Sequence, residues 1–211
     1  MVRPKLNKDQ THWIINGKQY PRLSEVMKVL PNVGLEKWKE KVGYEEAERI
    51  GNEAADFGTK IHTITMYRDK KQYNKMYAML DDDESLLPYS MAWSLYVMKY
   101  IKKWIAIEKL VWSEELGVAG TVDRVDEFID GSICIHDLKT GRLTDEIGIR
   151  LAGYKILFNE RSKKKKEKVE RYMAIQLPRE NPGELKVKEY TNPKYEVKFK
   201  EACEMYHKMY G

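Results

Sequence analysis

Long apolar runs are missing from this sequence of 211 residues. No stretch approaches the about 20 consecutive apolar residues that a membrane helix needs. The first ten residues, MVRPKLNKDQ, also lack the apolar segment of a secretory signal. We therefore expect a cytoplasmic protein with no membrane partner. Because 42% of the residues are hydrophobic, the chain can still bury the core of one domain.

Cysteine is scarce, with two residues in the whole chain, Cys134 and Cys203. Two thiols exclude a disulfide framework and an iron–sulfur cluster held by four thiolates. We expect both to be packing residues. A phosphate-binding GxxxxGK[ST] loop is also missing, which excludes an ATP motor within this chain.

The net charge of +5 is concentrated in one short segment, RSKKKKEKVER, at residues 161–171. This segment has seven basic and two acidic residues, so the two signs balance in the rest of the chain. It is either a solvated loop or a phosphate contact, since clustered lysines gain affinity by releasing counterions from nucleic acid. The four consecutive lysines are Lys163, Lys164, Lys165 and Lys166.

The spacing of apolar residues divides the chain into a helical front half and a β-rich back half. Asn16-Gly17 predicts a hairpin, because this dipeptide tolerates the positive φ of a tight turn. Helices follow, and the last is predicted within residues 80–110. Strands are predicted at 111–116, 118–129, 132–139, 171–178 and 185–191, with helices at 144–160 and 192–210. We expect an α/β fold with a helical N-terminal addition.

The segment ICIHDLKTG ends an apolar strand with an acid and a base one residue apart. Side chains alternate along a strand, so Asp137 and Lys139 share one face. The preceding strand carries Asp123, which a meander connection brings near Asp137. Two carboxylates about 4 Å apart repel by ~4 kcal/mol at an effective dielectric near 20, and a divalent cation removes that conflict.

Oxygen ligands favour Mg²⁺ or Mn²⁺ over zinc. Lys139 beside such an ion could orient a water or neutralise charge on a phosphate. An acid on one strand and acid-x-lysine on the next therefore indicate a metal-dependent phosphodiesterase. A salt bridge at the end of a strand is the alternative interpretation of the same residues.

The segment GTVDRVDEFIDGSICIHDLKTG closely resembles the core of PD-(D/E)XK nucleases. In the same order, DFGTKIH, SEELGVAGTVD, DLKTG and LAGYKILFN resemble the RecB-like exonuclease branch, especially its phage and prophage members. The resemblance implies a restriction-endonuclease-like core with a central mixed β-sheet flanked by helices. Residues 109–211 would form this core, and residues 1–108 would form an N-terminal hairpin and helical region within the same single domain.

The resemblance also implies roles for individual residues. Asp123 matches the first metal-binding acid, Asp137 the second and Lys139 the catalytic lysine. His62, in the context GTKIH, matches a histidine that adds a metal ligand in this branch, and the backbone carbonyl of Leu138 would be a further ligand. An imidazole ligand favours Mn²⁺ more than an all-oxygen site would.

Three further positions match the family less directly. Glu114 matches an acid that often precedes the first motif, and we assign it a supporting role. Tyr154 fits the tyrosine of the Gln-x-x-x-Tyr motif, but Arg150 stands where the family has glutamine. The two residues are one helical turn apart, so an arginine there could bind phosphate. We expect both, together with the lysines of residues 163–166, to contact DNA.

The function that the resemblance implies is a Mg²⁺/Mn²⁺-dependent DNA exonuclease in phage-type recombination, replication or repair. Its substrate would be the end of linear duplex or single-stranded DNA, and a recombination protein such as a single-strand annealing protein is an expected partner. Two alternatives stay open: a DNA-binding or recombination-partner module that no longer cuts, and a structure-specific endonuclease. Polarity, processivity and oligomeric state are left open.

Overall fold

A computed structural model describes residues 3–162 and 167–211. The chain begins with a small antiparallel sheet. Its strands are β1 Lys5–Leu6, β2 His12–Ile15 and β3 Lys18–Pro21. The predicted hairpin joins β2 to β3, and both Asn16 and Gly17 have positive φ angles, of 50° and 82°.

Helices occupy most of the next eighty residues. They are α1 Leu23–Met27, α2 Val33–Val42, α3 Tyr44–Asp69, α4 Tyr73–Asp82 and α5 Leu87–Tyr100. Within residues 3–162 and 167–211, no helix combines the length and apolar content needed to cross a bilayer.

A five-stranded mixed sheet forms the centre of the fold, with strand order β4-β5-β6-β7-β8. The strands are β4 Ile101–Ser113, β5 Val118–Phe128, β6 Ile133–Lys139, β7 Arg171–Gln176 and β8 Lys186–Glu189. The β6–β7 pair is parallel and the other three pairs are antiparallel. The crossover from β6 to β7 contains α6 Asp145–Arg161, and α7 Lys194–Tyr210 closes the chain. The predicted mixed sheet flanked by helices is confirmed.

Helices cover both faces of this sheet. Ile133 and Ile135 of β6 belong to the apolar cluster that includes α6 and α7. Cys134 and Leu138 of the same strand belong to the cluster that includes α3 and α5. The alternation expected for β6 is therefore observed, and it separates two buried layers.

One predicted element is wrong. Residues 80–110 were expected to end as helix, but α5 ends at Tyr100 and β4 begins at Ile101. The stretch KWIAIEKLVW is rich in β-branched and aromatic residues, which favour a strand, and it pairs with β5 over most of its length. Contacts with a neighbouring strand override local propensity here. The difference places Glu108 within the sheet.

Candidate metal and phosphodiesterase site

The candidate site lies where β5 and β6 stop pairing. Their ladder ends at the pair Arg124 and His136, so the next residues, Asp123 and Asp137, are not bridged. The carboxylate of Asp123 instead accepts a hydrogen bond of 3.3 Å from the backbone N–H of Leu138. The two carboxylates therefore lie at the point where the strands separate, beside the backbone of Leu138.

Helix α3 brings His62 to this gap. The buried neighbours Ile61 and Ile64 fix the helix against the sheet, so that His62 points at the separated strand ends. Its Nδ1 lies 3.3 Å from Oδ2 of Asp123, and its Nε2 lies 3.0 Å from the carbonyl oxygen of Leu138. The structure therefore brings together three of the positions that the sequence analysis singled out.

Glu108 of β4 completes a group that the sequence analysis did not foresee. One ligand atom each from His62, Glu108 and Asp123 lie within 4.8 Å of one another. Glu114, to which the sequence analysis assigned a supporting role, does not belong to this group of described residues. Its side chain is 61% exposed and lies 3.4 Å from Arg161.

The backbone of Glu108 is unusual for a strand residue, with a φ of +51°. A non-glycine residue in the left-handed region costs of order 1–3 kcal/mol, and such strain is typical of functional sites. The sequence analysis missed Glu108 because residues 80–110 were assigned to a helix. The β-branched and aromatic residues of IAIEKLVW favour a strand, but they continue the apolar run of the preceding helix without a break.

Asp137 lies at the same gap but is paired with cations. Its Oδ2 lies 2.5 Å from Nζ of Lys139 and 3.3 Å from an Nη atom of Arg150. Burial alone would raise the pKa of Asp137, but the charges of Lys139 and Arg150 outweigh it and hold that pKa well below its ordinary value. Lys139 also donates a 3.0 Å hydrogen bond to the carbonyl of Leu138, beside His62.

The acids of the His62 group repel each other. Burial raises the pKa of Glu108 above its ordinary value, and the nearby Asp123 carboxylate raises it further, while Arg124 opposes the rise. A divalent cation would relieve this repulsion. The donor set consists of one imidazole, two carboxylates and the adjacent Leu138 carbonyl, which fits an Mg²⁺ or Mn²⁺ ion.

Tyr154 and Arg150 reach the site from α6, on the side opposite α3. The ring of Tyr154 packs over Gly120 of β5, where an added Cβ would lie 2.8 Å from Cε1 of the ring. Burial raises the pKa of the Tyr154 hydroxyl, so it stays protonated and able to donate at neutral pH. A side chain at Gly120, the glycine of the GTVD segment, would therefore clash with the ring of Tyr154.

A cleft of about 470 Å³ opens beside the group. Its walls are formed by α3 and by the end of β6 with the turn that follows. The lining residues include Gly58, Thr59, His62, Glu108, Lys139 and Thr140. Lys163, Lys164, Lys165 and Lys166, which we expected to contact DNA, lie outside the described residues.

No protein-family model matches the chain, and no curated protein matches it. The solved structures that are similar to part of the fold include the following two. One is the "Putative exonuclease" of Eubacterium rectale, with 13% identity and a TM-score of 0.44, covering 71% of this chain and 65% of that one. The other is SSO0001, with 13% identity and a TM-score of 0.35, covering 72% of this chain and 75% of that one.

The chain thus spans about two thirds of the length of the first of these proteins, since the match covers 65% of it.

Proposed function

We propose that the chain is a nuclease that uses Mg²⁺ or Mn²⁺ to hydrolyse phosphodiester bonds in DNA. The observation that carries the proposal is the group of His62, Glu108 and Asp123, whose ligand atoms lie within 4.8 Å of one another. The ammonium of Lys139 lies next to this group, 3.0 Å from the Leu138 carbonyl that His62 also contacts. A salt bridge at a strand end would explain Lys139 and Asp137 alone, but it would not explain three further ligands gathered beside them.

The side chains of His62, Glu108 and Asp123 and the Leu138 carbonyl would hold the ion, with Asp137 adjacent. A divalent ion bound there supplies Lewis-acid activation of phosphate and water. Asp137 orients the Lys139 ammonium through the 2.5 Å contact. That ammonium then offsets the negative charge that develops on the phosphate oxygens as the nucleophile attacks.

Arg150 and Tyr154 would bind the DNA strand that enters the cleft. Arg150 is already 3.3 Å from Asp137, so a phosphate bound by its guanidinium would sit beside the reacting centre. The lysines of residues 163–166 would add contacts to the phosphates of the DNA backbone, which do not depend on the base sequence. Within this proposal the activity is that of an exonuclease in phage-type recombination, replication or repair, and a single-strand annealing protein is the expected partner.

The test uses end-labelled linear duplex and single-stranded DNA, and closed circular DNA, with Mg²⁺, Mn²⁺ or EDTA. We expect metal-dependent loss of the linear substrates, blocked by EDTA. Lys139→Ala should reduce the rate at least about a hundredfold, as expected for loss of an electrostatic contact to the transition state. Cleavage of closed circles would indicate an endonuclease instead.

Lys102→Ala is the matched control for Lys139→Ala. Lys102 is an exposed lysine paired with Glu127, and it precedes Glu108 on β4 by six residues, or roughly 20 Å. Its variant should keep full activity. Undiminished activity of Lys139→Ala, or no metal binding by the folded wild-type protein in calorimetry, would refute the proposal. DNA binding without metal binding would favour the module that no longer cuts.

A further inference from the structure

Arg124 is a cation buried beneath the proposed metal site. Its side chain is 1% exposed, although it belongs to the strand that carries Asp123. Its Nε donates a 2.8 Å hydrogen bond to Asp69, and an Nη donates one of 3.0 Å to Glu108. Arg124 thus joins a carboxylate of helix α3 to a carboxylate of the candidate metal group.

Two weaker contacts complete its surroundings. One Nη atom donates a 3.3 Å hydrogen bond to the hydroxyl of Thr65, and the other donates one of 3.1 Å to the backbone carbonyl of Asp123. The planar guanidinium therefore uses donors in three directions at once, which a lysine ammonium on a single flexible stem cannot reproduce.

Asp69 is itself held firmly at the end of α3. Its side chain is fully buried, and it accepts a 3.0 Å hydrogen bond from the indole N–H of Trp93 on α5. Arg68 lies 3.3 Å away, with a side chain that is 18% exposed. Asp69 can therefore serve as a fixed anchor for Arg124.

The helical spacing links this anchor to the histidine. Thr65 and Asp69 follow His62 by three and seven positions on α3, so all three lie along one side of the helix. Arg124 consequently ties the side of α3 that presents His62 to the strands that present Glu108 and Asp123. Without this tie, nothing among the described contacts restrains the Glu108 carboxylate, whose backbone is already in the left-handed region.

We propose that Arg124 is a positioning residue: it sets the Glu108 carboxylate at its distance from His62 and Asp123, and so determines how tightly the site binds a divalent ion. This inference rests on the proposed function of the site. Partners of metal ligands that do not touch the ion typically change affinity by about 10- to 100-fold when they are removed. A purely structural role would lower stability and leave the affinity of the folded protein unchanged.

The test compares Arg124→Lys with the wild-type protein by calorimetric Mn²⁺ titration and by the EPR spectrum of bound Mn²⁺, below the melting temperature of each. We expect Arg124→Lys to weaken Mn²⁺ binding by about tenfold or more and to broaden the spectrum, because the positive charge remains while the bridge to Glu108 is lost. Arg68→Lys is the control and should leave the affinity unchanged, since Arg68 also contacts Asp69 but its described contacts do not include Glu108.

Thr65→Val gives a second, milder test if Arg124→Lys does not fold. It removes one hydrogen-bond partner of Arg124 and leaves every charge in place. About threefold weaker binding would support the inference, since one hydrogen bond contributes on that scale. Wild-type affinity and spectrum in the folded variant would overturn it, whereas a wild-type protein that binds no Mn²⁺ would refute the proposed function itself.

Discussion

Glu108 and Asp123 face each other across β4 and β5, between the paired residues Ile107–Arg124 and Lys109–Val122. Their carboxylates belong to one group with His62, with ligand atoms within 4.8 Å. The relationship depends on strand pairing and not on proximity in sequence, since fourteen residues separate the two acids. It also distinguishes Glu108 from Glu114, and this difference can be tested.

Glu108→Gln should weaken Mn²⁺ binding by at least about tenfold, because an amide oxygen is a poorer ligand for a divalent cation than a carboxylate. Glu114→Gln is the matched control, since Glu114 is also a glutamate near the sheet in sequence, but its side chain is 61% exposed and pairs with Arg161. It should bind Mn²⁺ like the wild-type protein. Calorimetric titration of the two variants decides the matter, and a larger effect at Glu114 would contradict the assignment.

Arg150→Gln introduces the glutamine that stands at the matching position of the Gln-x-x-x-Tyr motif, in the RecB-like branch that the sequence resembles. The change removes one of the two cations that contact Asp137. We expect the KM for DNA to rise about tenfold with kcat changed less than about threefold, since a charge-assisted contact to phosphate would be lost before the chemical step.

Steady-state kinetics on linear DNA measures this change, at two salt concentrations. The control is Arg49→Gln, because Arg49 is exposed and pairs with Glu46 and Glu53 on its own helix. A loss confined to kcat would show that Arg150 acts on the transition state and not in binding.

Gly153 of α6 lies against the ring of Phe199 on α7. An added Cβ would be 2.5 Å from Cε2 of that ring, which is fully buried. Gly153→Ala should therefore destabilise the protein by about 1–3 kcal/mol, the usual cost of overpacking a core.

Gly51→Ala on α3 is the matched change, since an added Cβ there meets nothing within 4 Å. It should stabilise the protein by up to about 1 kcal/mol, because alanine favours a helix over glycine. Urea unfolding of both variants measures the two free energies. Equal effects of the two substitutions would rule out the close packing of α6 on α7.

Cys134 and Cys203 are buried. Burial raises the pKa of Cys203 to about 12, and it raises the pKa of Cys134 well above its ordinary value. Because a raised pKa keeps a thiol protonated, the thiolate fraction of Cys203 at pH 8 should be about one in ten thousand. Ellman's reagent should therefore react with neither thiol in the native protein and with both in denaturant. Fast reaction without denaturant would show that one of them is accessible.

The sequence analysis predicted β5 and β6 from their residue patterns and from the turn at Asp130-Gly131, whereas the mixed sheet was what the family resemblance implied. It missed the start of β4, because the apolar residues around Tyr100 continue from a helix into a strand without a break. Local propensity cannot separate the two in such a run, whereas pairing with β5 does. Because of this error, the sequence analysis did not consider Glu108.

By itself, the sequence determined how residues that are close together in the chain are placed relative to one another. Asp137 and Lys139 share a strand face because side chains alternate, and the motif around them marks the candidate chemistry. The family resemblance already assigned His62 to the site, but only the tertiary structure decided that Glu108 from β4 and the buried bridge of Arg124 to Asp69 meet it there. The physical reason is that strand pairing and helix packing over long sequence separations set these distances, and no local pattern encodes them.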